Sequence, residues 1–318
     1  MLRVDNHLIL DVLIENGIDK EAALEELRSS SCHPYVRGGD RLAQRLRKLE
    51  SLLGVRAEVA RLSSRCGSIE RKSNVSRQEF LENHYSANRP VVLVGAMRNW
   101  RALTAWTSEY LKAQCGHATV EVMTGRNADE RYEINLQRHR ENMLFADYVD
   151  LAANGGETND YYLVANNHLF ENENFFPLLD DIEPLPEYLN LNTWAGNTFF
   201  WYGPAGTVTP LHHDVGNIFM AQVRGCKRIR LISPDQTHLV YNDLGVYSAV
   251  DCEAPDYDKF PLFRQVSQIE LVLEPGEVLF LPVGWWHHVR ALDESITVSF
   301  MNFVFPNEYR WFSPDFGR

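Results

Sequence analysis

The chain contains few cysteines and no long apolar run. Its five cysteines are odd in number and form no Cys-x-x-Cys pair, which argues against a disulfide framework or a zinc knuckle. No uninterrupted apolar run approaches the length of a membrane span, and the segment from Met1 to His7 lacks the apolar core of a signal peptide. We therefore expect a cytoplasmic protein that does not contact membranes.

Positively charged residues are fewer than negatively charged ones. Lys and Arg number 31 against 43 Asp and Glu, which gives a formal net charge of −12. An acidic surface disfavours broad contact with phosphate backbones, so nucleic acid is not the expected partner. A local cluster such as Arg131, Arg138 and Arg140 keeps an RNA substrate open as an alternative.

The pattern along the chain predicts two regions in 318 residues. Residues 1–70 have apolar positions at helical spacing, including Leu42, Leu46 and Leu49, and are predicted to form helices that cap the core or make a homodimer surface. Residues 71–318 form the predicted catalytic domain, which begins with a capping-box pattern at Ser76 and Glu79. Between about 160 and 306, short β-rich runs alternate with turns, which predicts a jelly-roll core and an α+β fold class.

Three residues have the types and spacing of a metal site. His212 and Asp214 are two apart on a predicted strand, so both side chains point to the same face. Two histidines and one carboxylate suit Fe(II) or Mn(II) and leave positions open for other ligands. The second histidine comes from the pair His287-His288, and periodicity alone leaves both open, although His287 shares a face with Val289 if that residue points inward.

A lysine on an apolar strand face is the next indication of function. Alternation places Lys227 with Ile229 and Leu231, away from Arg228. A buried ammonium needs a counter-charge, which a dicarboxylate co-substrate would supply. The alternative is a lysine at a strand end whose amine reaches solvent.

Together these residues resemble the JmjC, or cupin-like, branch of the Fe(II)/2-oxoglutarate oxygenases. The resemblance covers roughly residues 75–307 and is carried by residues 200–214, 222–228 and 284–293. The chain is similar to the asparaginyl hydroxylase that inhibits hypoxia-inducible factor and to the JmjC arginyl hydroxylases, and more so to bacterial cupin-like domain proteins. The resemblance implies a double-stranded β-helix, which is the jelly roll of the cupins.

By position, the resemblance assigns Fe(II) to His212, Asp214 and His287, and so chooses His287 over its neighbour. Lys227 matches the lysine that binds the C5 carboxylate of 2-oxoglutarate. Tyr162, with Tyr161 as the alternative, matches a tyrosine that reaches the same carboxylate. No catalytic residue beyond the metal ligands is implied.

Two further positions of the co-substrate site depend on local backbone geometry. Thr209 matches a threonine of the 2-oxoglutarate site, but simple alternation points it away from His212, so a bulge near Pro210 is required. Asn217 is the expected partner of the C1 carboxylate, although Ile218 stands where the better-known hydroxylases have asparagine.

The activity implied is an Fe(II)- and 2-oxoglutarate-dependent dioxygenase that hydroxylates a protein or peptide side chain and releases succinate and CO2. Demethylation, a tRNA or small-molecule substrate, a metal-binding cupin that is not an oxygenase and a non-catalytic scaffold are the alternatives. The chain also lacks the C-terminal helices through which the asparaginyl hydroxylase dimerises, so a homodimer is expected to use the N-terminal helices.

Overall fold

The computed structural model describes residue 19, residues 21–22 and the ranges 34–164, 168–242 and 245–309. The chain divides into two compact units, Met1–Ser63 and Ser64–Arg318. This division falls seven residues before the predicted domain boundary. Most of the helical pattern predicted before residue 34 lies outside the described residues.

The first unit contains one fully described helix, α1 (Pro34–Arg61). The helix exposes apolar side chains at helical spacing, among them Leu42, Leu46 and Leu49. An exposed apolar stripe of this kind is typical of a helix that packs against another element. The use of this region in a homodimer stays a prediction.

In its described residues, the second unit contains short helices and twelve strands. The helices are α2 (Arg77–Phe80), which runs into the π-helical turn Leu81–Tyr85, α3 (Ala102–Ala105), α4 (Ser108–Cys115), α5 (Phe145–Asn154) and α6 (Phe176–Leu179). Short 3₁₀ turns lie at Arg126–Ala128, Leu136–Arg138, Leu169–Glu171, Glu173–Phe175, Leu191–Thr193, Pro234–Leu239 and Pro261–Gln265. The strands are β1 (Glu70–Lys72), β2 (Val91–Val94), β3 (Thr119–Met123), β4 (Arg140–Leu144), β5 (Thr198–Gly203), β6 (Val208–His213), β7 (Ile218–Arg224), β8 (Lys227–Ile232), β9 (Ile269–Leu273), β10 (Glu277–Leu281), β11 (Trp286–Ala291) and β12 (Ser295–Phe300).

Ten of these strands form the two sheets of a jelly roll, which confirms the predicted fold class. The major sheet has the order β1-β2-β10-β7-β12-β5, and the minor sheet has the order β6-β11-β8-β9. The strand pairs are antiparallel except for β1 with β2, and β3 pairs separately with β4. The major sheet thus takes in β1 and β2, which lie well before the core predicted to begin near residue 160.

The major sheet lies between the helices and the minor sheet. Phe280 of β10 packs in the same apolar cluster as Phe80 of α2, on the helical side of the sheet. Leu279, the preceding residue of β10, packs on the other side with Leu231 of the minor sheet. Because both faces of β10 are covered, all five of its residues are buried, and its sequence reads as a continuous apolar run.

Half of the predicted capping box forms near the start of this unit, because the Glu79 side chain accepts a hydrogen bond from Lys72 Nζ at 2.7 Å instead of one from the Ser76 N–H. The Ser76 side chain accepts a hydrogen bond from the Glu79 N–H at 3.1 Å, which satisfies a donor in the first turn of α2. This cap orients Phe80 toward the aromatic cluster above the major sheet. None of the described helices is long and apolar enough to cross a membrane.

Candidate metal and co-substrate site

Two histidines meet across the pair β6–β11. His212 and His287 are direct partners in the strand register, and their ring centroids are 4.0 Å apart. Asp214 follows β6, and its carboxylate oxygens lie 4.0 Å from His212 Nε2 and 3.4 Å from His287 Nε2. One possible ligand atom from each of the three lies within 4.8 Å of the other two. The fold therefore brings together the three residues singled out in the sequence.

Backbone carbonyls orient both rings. His212 Nδ1 lies 2.8 Å from the Pro210 carbonyl, and His287 Nδ1 lies 3.1 Å from the Trp285 carbonyl. A carbonyl only accepts, so each Nδ1 carries the proton and each Nε2 keeps a free lone pair toward Asp214. Such outer hydrogen bonds are typical of metal-binding histidines.

Burial sets the protonation states that suit a cation. It lowers the pKa of His287 well below its usual value, with the neighbouring His212 as a further cause, so the ring is neutral and able to coordinate. Burial raises the pKa of Asp214, which means that the carboxylate is poorly compensated by the protein itself. A divalent cation beside these nitrogen and oxygen donors would compensate it, so the donor set fits Fe(II).

The neighbouring histidines face other groups. His213 packs edge-on against Trp286, with centroids 4.8 Å apart. His288 Nε2 lies 3.9 Å from the Glu253 carboxylate. Each strand therefore presents one member of its histidine pair to the metal position, as alternation requires.

The bulge predicted near Pro210 is confirmed. His287 is opposite His212 but Val289 is opposite Thr209, so three steps along β6 match two along β11. The extra residue reverses the alternation along β6 and brings Thr209 near the Tyr162 hydroxyl, whose pKa is raised by burial and lowered slightly by Thr209.

Lys227 is buried on the inner face of the minor sheet. Only 2% of the residue is exposed, and Nζ donates to the Tyr162 hydroxyl at 3.2 Å. Burial lowers its pKa from 10.5 to about 7, and no acidic group among the described residues contributes to that value. Within the described part of the chain the ammonium thus has no counter-charge, and a carboxylate of the co-substrate would supply one.

The strand register relates Lys227 to the metal position. Its partner on β11 is Ala291, four residues from His287, or about 13 Å along a strand at ~3.3 Å per residue. A lysine side chain and a five-carbon diacid together bridge such a separation. The arrangement fits 2-oxoglutarate bound with one end at the metal and the other at Lys227.

Of the two adjacent tyrosines, it is Tyr162 that meets Lys227. The Tyr161 hydroxyl donates instead to the Leu151 carbonyl at 3.3 Å. Gly203 makes room for the Tyr162 ring, because a Cβ at that position would lie 2.7 Å from Tyr162 Cδ2.

Asn217 lies at the entry to β7, with 1% of its surface exposed. Its Oδ1 accepts from the Val283 N–H at 2.8 Å, and its Nδ2 donates to the Tyr309 hydroxyl at 3.0 Å. These bonds connect β7 to the segment before β11 and to the end of the described chain. A role toward the C1 carboxylate of 2-oxoglutarate stays a prediction.

Sequence reasoning missed a cavity beside the site, whose lining includes none of the metal ligands and none of the predicted co-substrate residues. This cavity of about 1190 Å³ adjoins β6, and its lining includes Glu133, Val208 and Tyr247. The Tyr247 ring lies 5.6 Å from the His212 ring, centroid to centroid. The volume is ample for a side chain or a small ligand. Glu133 and Tyr247 come from two irregular segments, so no periodic pattern could have indicated them.

Comparison with known proteins agrees with this geometry. A family model described as "Cupin-like domain" matches residues 76–309. Lysine-specific demethylase 8 of Xenopus tropicalis is 37% identical over 71% of this chain and 50% of its own length. Lysine-specific demethylase JMJ30 of Arabidopsis thaliana is 33% identical over 74% of this chain and 54% of its own.

A relative whose name refers to tRNA, and not to demethylation, also matches. The tRNA wybutosine-synthesizing protein 5 of Gallus gallus is 29% identical over 71% of this chain and 74% of its own length. The chain spans about half the length of the two demethylases.

Proposed function

Because the chain belongs to the cupin-like, JmjC family of oxygenases that depend on Fe(II) and 2-oxoglutarate, we propose that it hydroxylates a side chain of a protein or peptide. Succinate and CO2 are the co-products. The observation that carries this proposal is that one jelly roll contains both the cluster of His212, Asp214 and His287 and the buried Lys227, whose charge has no acidic partner among the described residues. A metal-binding cupin of another class would have no need for the buried lysine.

Each residue of the site then has a defined task. Fe(II) with 2-oxoglutarate supplies the oxidising chemistry when both are bound. His212, Asp214 and His287 hold the ion from one side, and the carbonyl contacts of the two rings keep their Nε2 atoms aimed at it. Lys227 and Tyr162, with Thr209, take the C5 carboxylate in a pocket closed to bulk water.

A protein side chain is the proposed substrate because two relatives are named lysine-specific demethylases. Hydroxylation is proposed over demethylation because it needs only a C–H bond near the metal, whereas demethylation also needs a methylated nitrogen there. The tRNA alternative has two supporting observations: one relative is named tRNA wybutosine-synthesizing protein 5, and Arg131 lines the cavity beside β6. The net charge of −12 opposes it.

The test is turnover of 2-oxoglutarate to succinate by protein loaded with Fe(II) in the presence of O2. Lysine- and arginine-containing peptides, their methylated forms and tRNA serve as candidate substrates, and mass spectrometry of each reports the outcome. Gain of one oxygen atom supports hydroxylation, whereas loss of a methyl group with release of formaldehyde shows demethylation.

Matched histidine variants provide the control. His212→Ala should lose both bound metal and turnover, whereas His213→Gln, at the neighbouring residue on the opposite face, should retain the metal. Failure of the wild-type protein to bind either a divalent metal or 2-oxoglutarate under anaerobic conditions would contradict the proposal.

A further inference from the structure

A buried arginine lies beside the co-substrate pocket. Arg126 is only 1% exposed, and both Nη atoms of its guanidinium donate hydrogen bonds. It donates to the Glu133 carboxylate at 2.7 Å, to Asn159 Oδ1 at 2.9 Å and to the Val208 carbonyl at 2.8 Å. Because the partners satisfy its charge and its geometry, the side chain is held in one position.

One side of this guanidinium contacts the co-substrate tyrosine. Arg126 Cζ lies 4.2 Å from the centroid of the Tyr132 ring and 5.2 Å from that of Tyr162. Contacts of a cation with aromatic faces are attractive at these distances. The Tyr162 hydroxyl in turn accepts from Lys227, so the arginine supports the ring that completes the carboxylate pocket.

The carboxylate partner reaches toward the metal ligands. Glu133 and Tyr247 line the same cavity. Burial and, after it, the nearby Glu133 carboxylate raise the pKa of the Tyr247 hydroxyl, and the Tyr247 ring packs against the ring of His212. Backbone bonds join the same segment to β6: the His213 N–H donates to the Val246 carbonyl at 3.0 Å. Glu133 is thus connected, through Tyr247, to strand β6, which carries the metal ligand His212 and leads into Asp214.

We propose that the Arg126–Glu133 ion pair is a positioning pair that couples the 2-oxoglutarate pocket to the metal centre. It holds Tyr162 at one end and Tyr247 against His212 at the other. Neither residue of the pair touches the reacting atoms in this arrangement. The inference rests on the proposed function, because it assigns the two ends to 2-oxoglutarate and to the metal.

Glu133→Gln is the direct perturbation, since it keeps the shape of the side chain and removes its charge. Arg126 then lacks its counter-charge, and we expect Tyr162 and Tyr247 to be held less firmly in position. Loss of residues that orient metal ligands typically weakens metal binding by about 10- to 100-fold. We expect the dissociation constants of Co(II) and of 2-oxoglutarate to rise together, each by about 10-fold.

A second variant separates the effect on metal binding from the effect on 2-oxoglutarate binding, and a third serves as the control. Tyr247→Phe keeps the ring on His212 but removes the hydroxyl next to Glu133, so it should weaken Co(II) binding several-fold and leave 2-oxoglutarate binding unchanged. Glu270→Gln is the matched control, because Glu270 also pairs with an arginine, at 3.0 Å from Arg230, on β9 away from the site. It should change neither constant more than about two-fold, as for exposed ion pairs in general.

Both constants are measured anaerobically, without turnover. Absorption of Co(II) reports metal binding, calorimetry at saturating Co(II) reports 2-oxoglutarate binding, and circular dichroism verifies folding. A folded Glu133→Gln protein that binds both ligands as the wild type does would overturn the proposal. If that variant does not fold, an unchanged Co(II) affinity in Tyr247→Phe would overturn it, and the expected loss would support it. Absence of 2-oxoglutarate binding in the wild type would instead refute the proposed function.

Discussion

Replacing Lys227 by methionine should stabilise the ligand-free protein and abolish its response to 2-oxoglutarate. The side chain keeps a similar length but loses its charge. In the wild type, the ammonium is 2% exposed and bonded to Tyr162, without an acidic partner among the described residues. Removing an uncompensated charge from an apolar site is favourable, whereas removing the counter-ion of a bound carboxylate is unfavourable.

The magnitude follows from the pKa. Burial lowers the pKa of Lys227 from 10.5 to about 7, and at about 1.4 kcal/mol per pH unit this costs the folded state roughly 4–5 kcal/mol at pH 7. Loss of the hydrogen bond to Tyr162 offsets about 1 kcal/mol of the gain. We therefore expect Lys227→Met to raise the free energy of unfolding by about 3 kcal/mol, or Tm by roughly 6–12 °C.

The pH dependence gives an independent check of the sign. Below pH 7 the lysine is protonated in both folded and unfolded chains, and the wild type bears the full cost of the buried charge. Between pH 7 and 10.5 the unfolded chain binds more protons at this residue than the folded one, so wild-type stability rises with pH. The advantage of Lys227→Met should therefore shrink toward pH 10.

The assay is thermal unfolding with and without 2-oxoglutarate in anaerobic, metal-loaded protein. A ligand at 100 times its dissociation constant stabilises a protein by about 2.7 kcal/mol, and the variant should show no such gain. Arg228→Met is the control, because Arg228 is the next residue on β8, has a side chain 37% exposed and lies 3.7 Å from Glu270. It should change stability by less than about 1 kcal/mol.

Two results would refute this reasoning. A ligand-free Lys227→Met protein less stable than the wild type, with the same pH dependence, would mean that the ammonium has a counter-charge in the folded protein. A variant that 2-oxoglutarate still stabilises would mean that the C5 carboxylate binds elsewhere.

Two other substitutions test the packing of the site. Gly203→Ala places a Cβ 2.7 Å from the Tyr162 ring, so it should cost about 1–3 kcal/mol of stability and weaken 2-oxoglutarate binding, measured by denaturant unfolding and calorimetry. Asn217→Ala breaks bonds to Val283 and Tyr309 and should cost about 1–3 kcal/mol in unfolding. Its effect on 2-oxoglutarate affinity, measured in the same protein, tests the predicted role toward the C1 carboxylate, and unchanged affinity would assign Asn217 to the fold alone.

Short-range patterns were enough to predict much of this fold. The region predicted to hold the jelly-roll core, residues 160–306, contains strands β5 to β12, because alternation and turn residues are local signals. The same alternation placed Lys227 on the inner face with Ile229 and Leu231, which are fully buried. That His212 and Asp214 point to the same side also follows locally, because side chains two residues apart on a strand share a face.

Other features required partners that are distant in the chain. Periodicity could not choose between His287 and His288, and the choice came from the family pattern. In the structure, Asp214 faces His287, whereas His288 faces Glu253. The early strands β1 and β2 belong to the major sheet because β10 pairs with β2. These strands are far apart in the chain, so no local sequence pattern predicts the contact.

What the sequence by itself determined is the set of residues whose roles depend on near neighbours: the apolar strand faces, the turns and the His-x-Asp motif. Only the tertiary structure decided the surroundings of the site, including Arg126, Glu133 and Tyr247. Their contacts join a 3₁₀ turn and two irregular segments, so no periodic signal marks them. A side chain's role there depends on which distant groups compensate its charge, and chain folding alone brings those groups together.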